Sequence, residues 1–179
     1  MVDFYSELIG PYPFEKLAHV QSATRFGGME NASAIFYSER RLASGSSMEG
    51  TVAHETAHQW FGAAVTARDW TELWLSEGFA TYFGHLYFES RDGIGDFRRR
   101  LEASRRTYVE SAVTADPIVA RYDDLFEQLN PNNYPKGGWV LHMLRGIMGD
   151  EAFFGGIRTY YAQHAGTAVT TADFASDMA

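Results

Sequence analysis

Apolar and polar residues alternate in two early stretches, LAHVQSA and SAIFYSE, and recur at helical spacing over most of the remaining chain. This pattern predicts two short strands near the N-terminus and a helical majority after them. The opening FYSELIG reads as a short helix stopped at Gly10 and followed by a Pro-rich turn. Between the strands lies a glycine-containing loop, RFGGMEN. From Ser46 the signals turn helical: Ser46 and Glu49 fit an S-x-x-E capping box, and the pattern runs through Phe61 to a stop at Gly62. A second helix is predicted over 72–90, where ELWLSEGFATYFGHLYFES is apolar nearly all round and so belongs in the interior. Further helices are expected at 94–111, 135–147, 150–163 and from 171 onward, the last with Thr170 and Thr171 as caps. The segment 112–134, broken by Asp116-Pro117 and Asn130-Pro131, reads as loop with one helical turn. The predicted class is α+β, a small N-terminal sheet followed by mostly helices.

Composition narrows the partners. A net charge of −8 argues against a nucleic-acid or anionic-membrane partner, since both reward a basic surface. The basic cluster Arg98–Arg100 with Arg105 and Arg106 alternates with Glu102 and Glu110, as a solvated helix face does. No apolar run approaches the roughly 18 residues that span a bilayer, so the chain is expected to be soluble, with the cytoplasm slightly favoured. With no cysteine, the chain has neither disulfide nor thiolate chemistry.

The polar interruption of one apolar helix changes the picture. In VAHETAHQWFG, His54 and His58 lie one turn apart and project from the same face, while Glu55 points about a quarter turn away. Two imidazoles at this spacing can share one tetrahedral ion and leave the adjacent carboxylate free to work on water. A single histidine on such a helix would more simply satisfy a backbone carbonyl. The whole H-E-x-x-H pattern, however, arises only about 0.01 times in a shuffled chain of this composition. A catalytic ion needs a third protein ligand, and Glu77 in WLSEGFA supplies one if the second helix folds back beside the first. The competing reading of Glu77 is a salt bridge to an arginine.

Four blocks then carry a family resemblance: GGMEN at 27–31, HETAH at 54–58, WLSEGFA at 74–80 and YPKGGWVLHML at 134–144. The sequence resembles the aminopeptidase N-like zinc peptidases, the gluzincins that include leukotriene hydrolase, and the likeness extends to the opening FYSELIGPYPFEKL. It implies a thermolysin-like catalytic domain holding one zinc ion, with His54, His58 and Glu77 as ligands, Glu55 as general base and Tyr134 as oxyanion donor. It also implies that Gly27, Gly28, Met29, Glu30 and Asn31 bind substrate, with Glu30 pairing to the free α-ammonium of a peptide. The implied activity is therefore aminopeptidase, acting on peptides with a free N-terminus.

Some positions depart from the family pattern. Gly28 stands where Ala is frequent, Ser76 where Asn is frequent, and Gly84 where the family often has a carboxylate able to support a ligand. Family members also carry a β-rich domain before this region and a helical domain after it, so residues 1–179 are expected to be a single partial catalytic domain. The alternative function is a zinc-binding or interaction domain with little catalysis. The 15% aromatic content, without those neighbours, predicts self-association.

Overall fold

The computed structural model describes all residues, 1–179. Helix α1 (Val2–Leu8) leads into strand β1 (Ala18–Ser22), the two-residue β2 (Gly28–Met29) and β3 (Ala34–Ser38). The sheet order is β1-β3-β2, with β1 parallel and β2 antiparallel to β3, so β2 is an edge strand. After a short helix α2 (Glu39–Ala43) come α3 (Glu49–Ala57), β4 (Val65–Ala67) and the long α4 (Trp74–Asp92). Helix α5 (Ile94–Val109) is next in the chain. Beyond an irregular segment lie α6 (Gly137–Met148), α7 (Asp150–His164), β5 (Thr167–Val169) and α8 (Thr171–Asp177). Strands β4 and β5 pair in parallel as a second, two-stranded sheet.

The α+β expectation holds, with corrections to its detail. Five strands form where two were expected. Strand β2 lies inside the predicted loop, and β4 and β5 are too short to show alternation. The capping box at Ser46 does not form. Helix α3 begins at Glu49 with Met48 at its N-cap and no side-chain cap, and the Glu49 carboxylate pairs with Arg91 instead. Regular helix ends at Ala57, before Gly62: Gln59 N and Trp60 N bond three residues back, to the Thr56 and Ala57 carbonyls at 3.1 Å, and Gly62 N then bonds to the Val65 carbonyl at 2.7 Å. At the other end Thr170 does cap α8, in a reciprocal box with Asp173. The segment 112–134 holds two turns rather than one: a 3₁₀ turn at Leu125–Gln128 and the start of a π-helical turn at Asn132–Lys136.

As the all-round apolarity of its sequence requires, α4 runs through the core. Twelve of its residues are buried, and Phe79 and Phe83 stack among Phe61, Tyr160 and Phe174. The first helix is pinned against the metal-motif helix by polar tips: Tyr5 donates to the Ala53 carbonyl at 2.9 Å, and Trp60 Nε1 to the Gly10 carbonyl at 2.8 Å. No helix is long and apolar enough to cross a membrane.

Candidate metal centre and active site

Helix α3 and the first turn of α4 lie side by side, and their polar residues meet. His58 Nε2 is 3.0 Å from His54 Nε2, and Glu77 Oε2 is 3.1 Å and 3.2 Å from His54 Nε2 and His58 Nε2 respectively. His58 and Glu77 are buried and His54 half-buried. Such a convergence of two nitrogens and a carboxylate oxygen is an arrangement that could hold a cation. Bonds of about 2.0 Å in a tetrahedron put ligands about 3.3 Å apart, so the three donors fit a zinc-sized ion. Glu77 makes no pair with an arginine.

The support of His58 is specific. Its Nδ1 lies 3.0 Å from the Phe61 carbonyl, which can only accept, so Nδ1 carries a proton and Nε2 keeps its lone pair for the centre. Ser76 Oγ stands 3.1 Å from the same Nδ1. Burial acts to lower the His58 pKa, but the Glu77 charge outweighs it and holds the imidazole well above its ordinary value. Burial likewise acts to raise Glu77, and the charges and hydrogen bonds of His58 and His54 drive it well below the carboxylate range. Gly84 sits against the His54 backbone, where an added Cβ would meet Cα at 3.6 Å, so no carboxylate reaches His54 from this side.

Glu55 is also buried, and this burial, reinforced by Glu30 and Glu77 against the opposing histidines, raises its pKa. Its carboxylate lies against β2. A Cβ at Gly28 would fall 2.3 Å from Glu55 Oε1, so glycine is what allows the strand to approach. Tyr134 comes from the π-helical turn, its ring 6.1 Å from that of His54 and nearly parallel to it. Burial, then the Glu77 charge, raises its phenolic pKa, so it is a hydroxyl donor at neutral pH.

These groups line one cavity of about 670 Å³, together with Gly27, Gly28, Met29 and Glu30. Asn31 is the exception among the residues expected there: it is exposed in the turn toward β3, outside the cavity. Sequence reasoning passed over Gln59. This fully buried amide accepts from Ser33 N at 2.8 Å and donates to the Glu30 carbonyl at 3.1 Å, tying the turn after β2 to the end of α3. Its place directly after HETAH, polar in an apolar run, was the available signal.

An H-E-x-x-H helix and a carboxylate from the next helix, set in an α+β fold, define the class of HExxH metallopeptidases. The whole chain, residues 1–179, matches the peptidase family M1 domain, and the protein belongs to that family. Probable aminopeptidase 2 of Sulfurisphaera tokodaii is 32% identical, over 97% of this chain and 24% of its own length. Human endoplasmic reticulum aminopeptidase 1 is 33% identical, over 92% and 19% respectively. The crystal structure of the M1 zinc metallopeptidase from Deinococcus radiodurans matches with a TM-score of 0.79 at 30% identity, covering 98% of this chain and 38% of that one. Native leukotriene A4 hydrolase from Saccharomyces cerevisiae shares the fold, with a TM-score of 0.88 at 23% identity over 99% and 30%. The chain spans 24% and 19% of the length of the first two of these relatives.

Proposed function

We propose that residues 1–179 form part of the catalytic domain of a zinc-dependent aminopeptidase that removes the N-terminal residue from peptides. The observation that carries this reading is the meeting of His54, His58 and Glu77 within 3.2 Å, in a cavity that also holds Glu55 and Glu30. The three donors would hold the zinc ion, which when bound supplies Lewis acidity to water and to the scissile carbonyl.

The remaining work falls to this chain's own residues. Glu30 pairs with the substrate's α-ammonium and so measures one residue from the end. The outer edge of β2, unpaired within the sheet, offers backbone groups to the extended peptide. Glu55 accepts the proton of the attacking water and returns it to the leaving amine, a task suited to a carboxylate whose pKa is raised by burial. The Tyr134 hydroxyl donates to the carbonyl oxygen as it gains charge.

Release of amino acids from unblocked aminoacyl amides, measured alongside bound zinc, tests the proposal. Glu55→Ala is expected to retain zinc and lose about 10²–10⁴-fold in rate, and N-acetylated substrates should be inert. If wild type and variant bind zinc and are equally inactive, the alternative stands: a zinc-binding domain without catalysis.

A further inference from the structure

The cavity that holds the histidines is lined by three carboxylates, Glu30, Glu55 and Glu77, and by no lysine or arginine. Glu77 converges with His54 and His58, but the other two carboxylates have no such partners. Glu55 is only 7% exposed and its side chain makes no hydrogen bond or ion pair. The hydrogen bond at Glu30 goes to its backbone carbonyl and leaves the carboxylate free. An oxygen of Glu30, an oxygen of Glu55 and a ring nitrogen of His58 nevertheless all lie within 4.8 Å of one another. A buried carboxylate without a partner is costly, and a second one beside it adds repulsion that a cation would relieve.

The fold builds this spacing. Glu55 projects from α3 against β2, where Gly28 leaves room for its carboxylate. Four residues after Glu55, the buried Gln59 donates to the Glu30 carbonyl at 3.1 Å. One segment therefore presents the first carboxylate and holds the backbone of the second. The His58 Nδ1 proton is engaged by the Phe61 carbonyl at 3.0 Å, so Nε2 is the nitrogen that both groups of donors share. One nitrogen lone pair serves one ion. With zinc held by His54, His58 and Glu77, a second ion would keep the two carboxylates and fill its shell with water, as cations that prefer oxygen donors do.

We infer that Glu30 and Glu55 form a second, weaker site for a divalent cation beside the zinc ligands, and that this cation competes with the substrate's α-ammonium. The site itself rests on the geometry, whereas the competition rests on the reading of Glu30 given above. Zinc and Glu77 together carry one formal positive charge, and Glu30 and Glu55 carry two negative ones. The cavity thus attracts either an ammonium or a further metal ion, but Glu30 cannot pair with both. Excess divalent metal therefore acts as a competitive inhibitor of unblocked substrates.

Mn²⁺ is a suitable probe, because it binds such donors more weakly than zinc and does not displace it. Its electron paramagnetic resonance signal is lost from the free pool on binding, so uptake is read without turnover. The zinc-loaded chain, freed of excess metal, should take up one Mn²⁺. Glu30→Gln and Glu55→Gln should each weaken that uptake at least about tenfold, and one retained zinc reports that the variants are folded. Leucinamide should displace the Mn²⁺ and N-acetyl-leucinamide should not. Equal uptake in wild type and both variants, or none at millimolar Mn²⁺, would overturn the site. Uptake that needs both glutamates but is indifferent to leucinamide upholds the cation site and refutes Glu30 as the ammonium partner. Uptake of the expected kind in a chain that releases no amino acid upholds the site and refutes the catalytic proposal instead.

Discussion

Gln59 is neutral and stands outside the five letters of HETAH, yet it bonds to the turn that presents Glu30. Replacing it by leucine leaves Ser33 N and the Glu30 carbonyl without their partner, at a cost of about 1–3 kcal/mol. The expected result for Gln59→Leu is a higher KM for unblocked substrates with zinc content unchanged. A lower Tm with KM intact would assign Gln59 to stability alone. At this scale the sequence spoke clearly wherever chemistry needs a fixed spacing, as for His54, Glu55 and His58 on consecutive turns of one helix. The roles of Gln59 and Ser76 were not legible there, because they depend on which distant backbone comes within reach. Gly28 reads as a mild departure in sequence, and only the contact with Glu55 gives it a reason.

Between elements, α4 and the start of α6 come close enough for their backbones to touch. A Cβ on Gly137 would lie 2.8 Å from Gly78 Cα, and Gly78 directly follows Glu77. This glycine pair sets how near the turn bearing Tyr134 can come to the helix bearing Glu77. Gly137→Ala forces the two apart, with an overpacking cost of about 1–3 kcal/mol. It should lower Tm and reduce kcat more than zinc binding, which steady-state kinetics and metal analysis can separate. Helix α4 also meets α5 through His85, whose Nε2 is 3.0 Å from Ser104 Oγ. Burial, then the Arg100 charge, lowers the His85 pKa to about 4, so the folded state favours the neutral imidazole. The associated stability is fully present above pH 6.5, the ordinary histidine value, and is lost as pH falls through about 4. The loss should reach about 2 kcal/mol, given partial exposure, and should be smaller in His85→Gln when denaturation midpoints are compared at pH 7 and pH 4. The helices were legible because their periodicity is long. The strands β2, β4 and β5 were not, since two or three residues cannot establish alternation.

At the level of the molecule, the aromatic content that suggested open apolar patches proves to be mostly interior: Phe61, Phe79, Phe83, Trp74, Tyr160 and Phe174 form much of the core. The class of fold was readable from the balance of periods, but the pairing of segments far apart in the chain was not. One such pairing governs timing. Strand β4 lies between the segment bearing His54 and His58 and the one bearing Glu77, and its only partner is β5. Arg68, just after β4, reaches the Ala168 carbonyl across 100 positions of chain. A closure of that span carries its entropy cost before any contact rewards it, and it is correspondingly slow. On a ribosome the histidines and Glu77 would emerge long before β5, so the β4–β5 pairing can add its support to the direct packing of α3 on α4 only when nearly the last residues of this segment have been made.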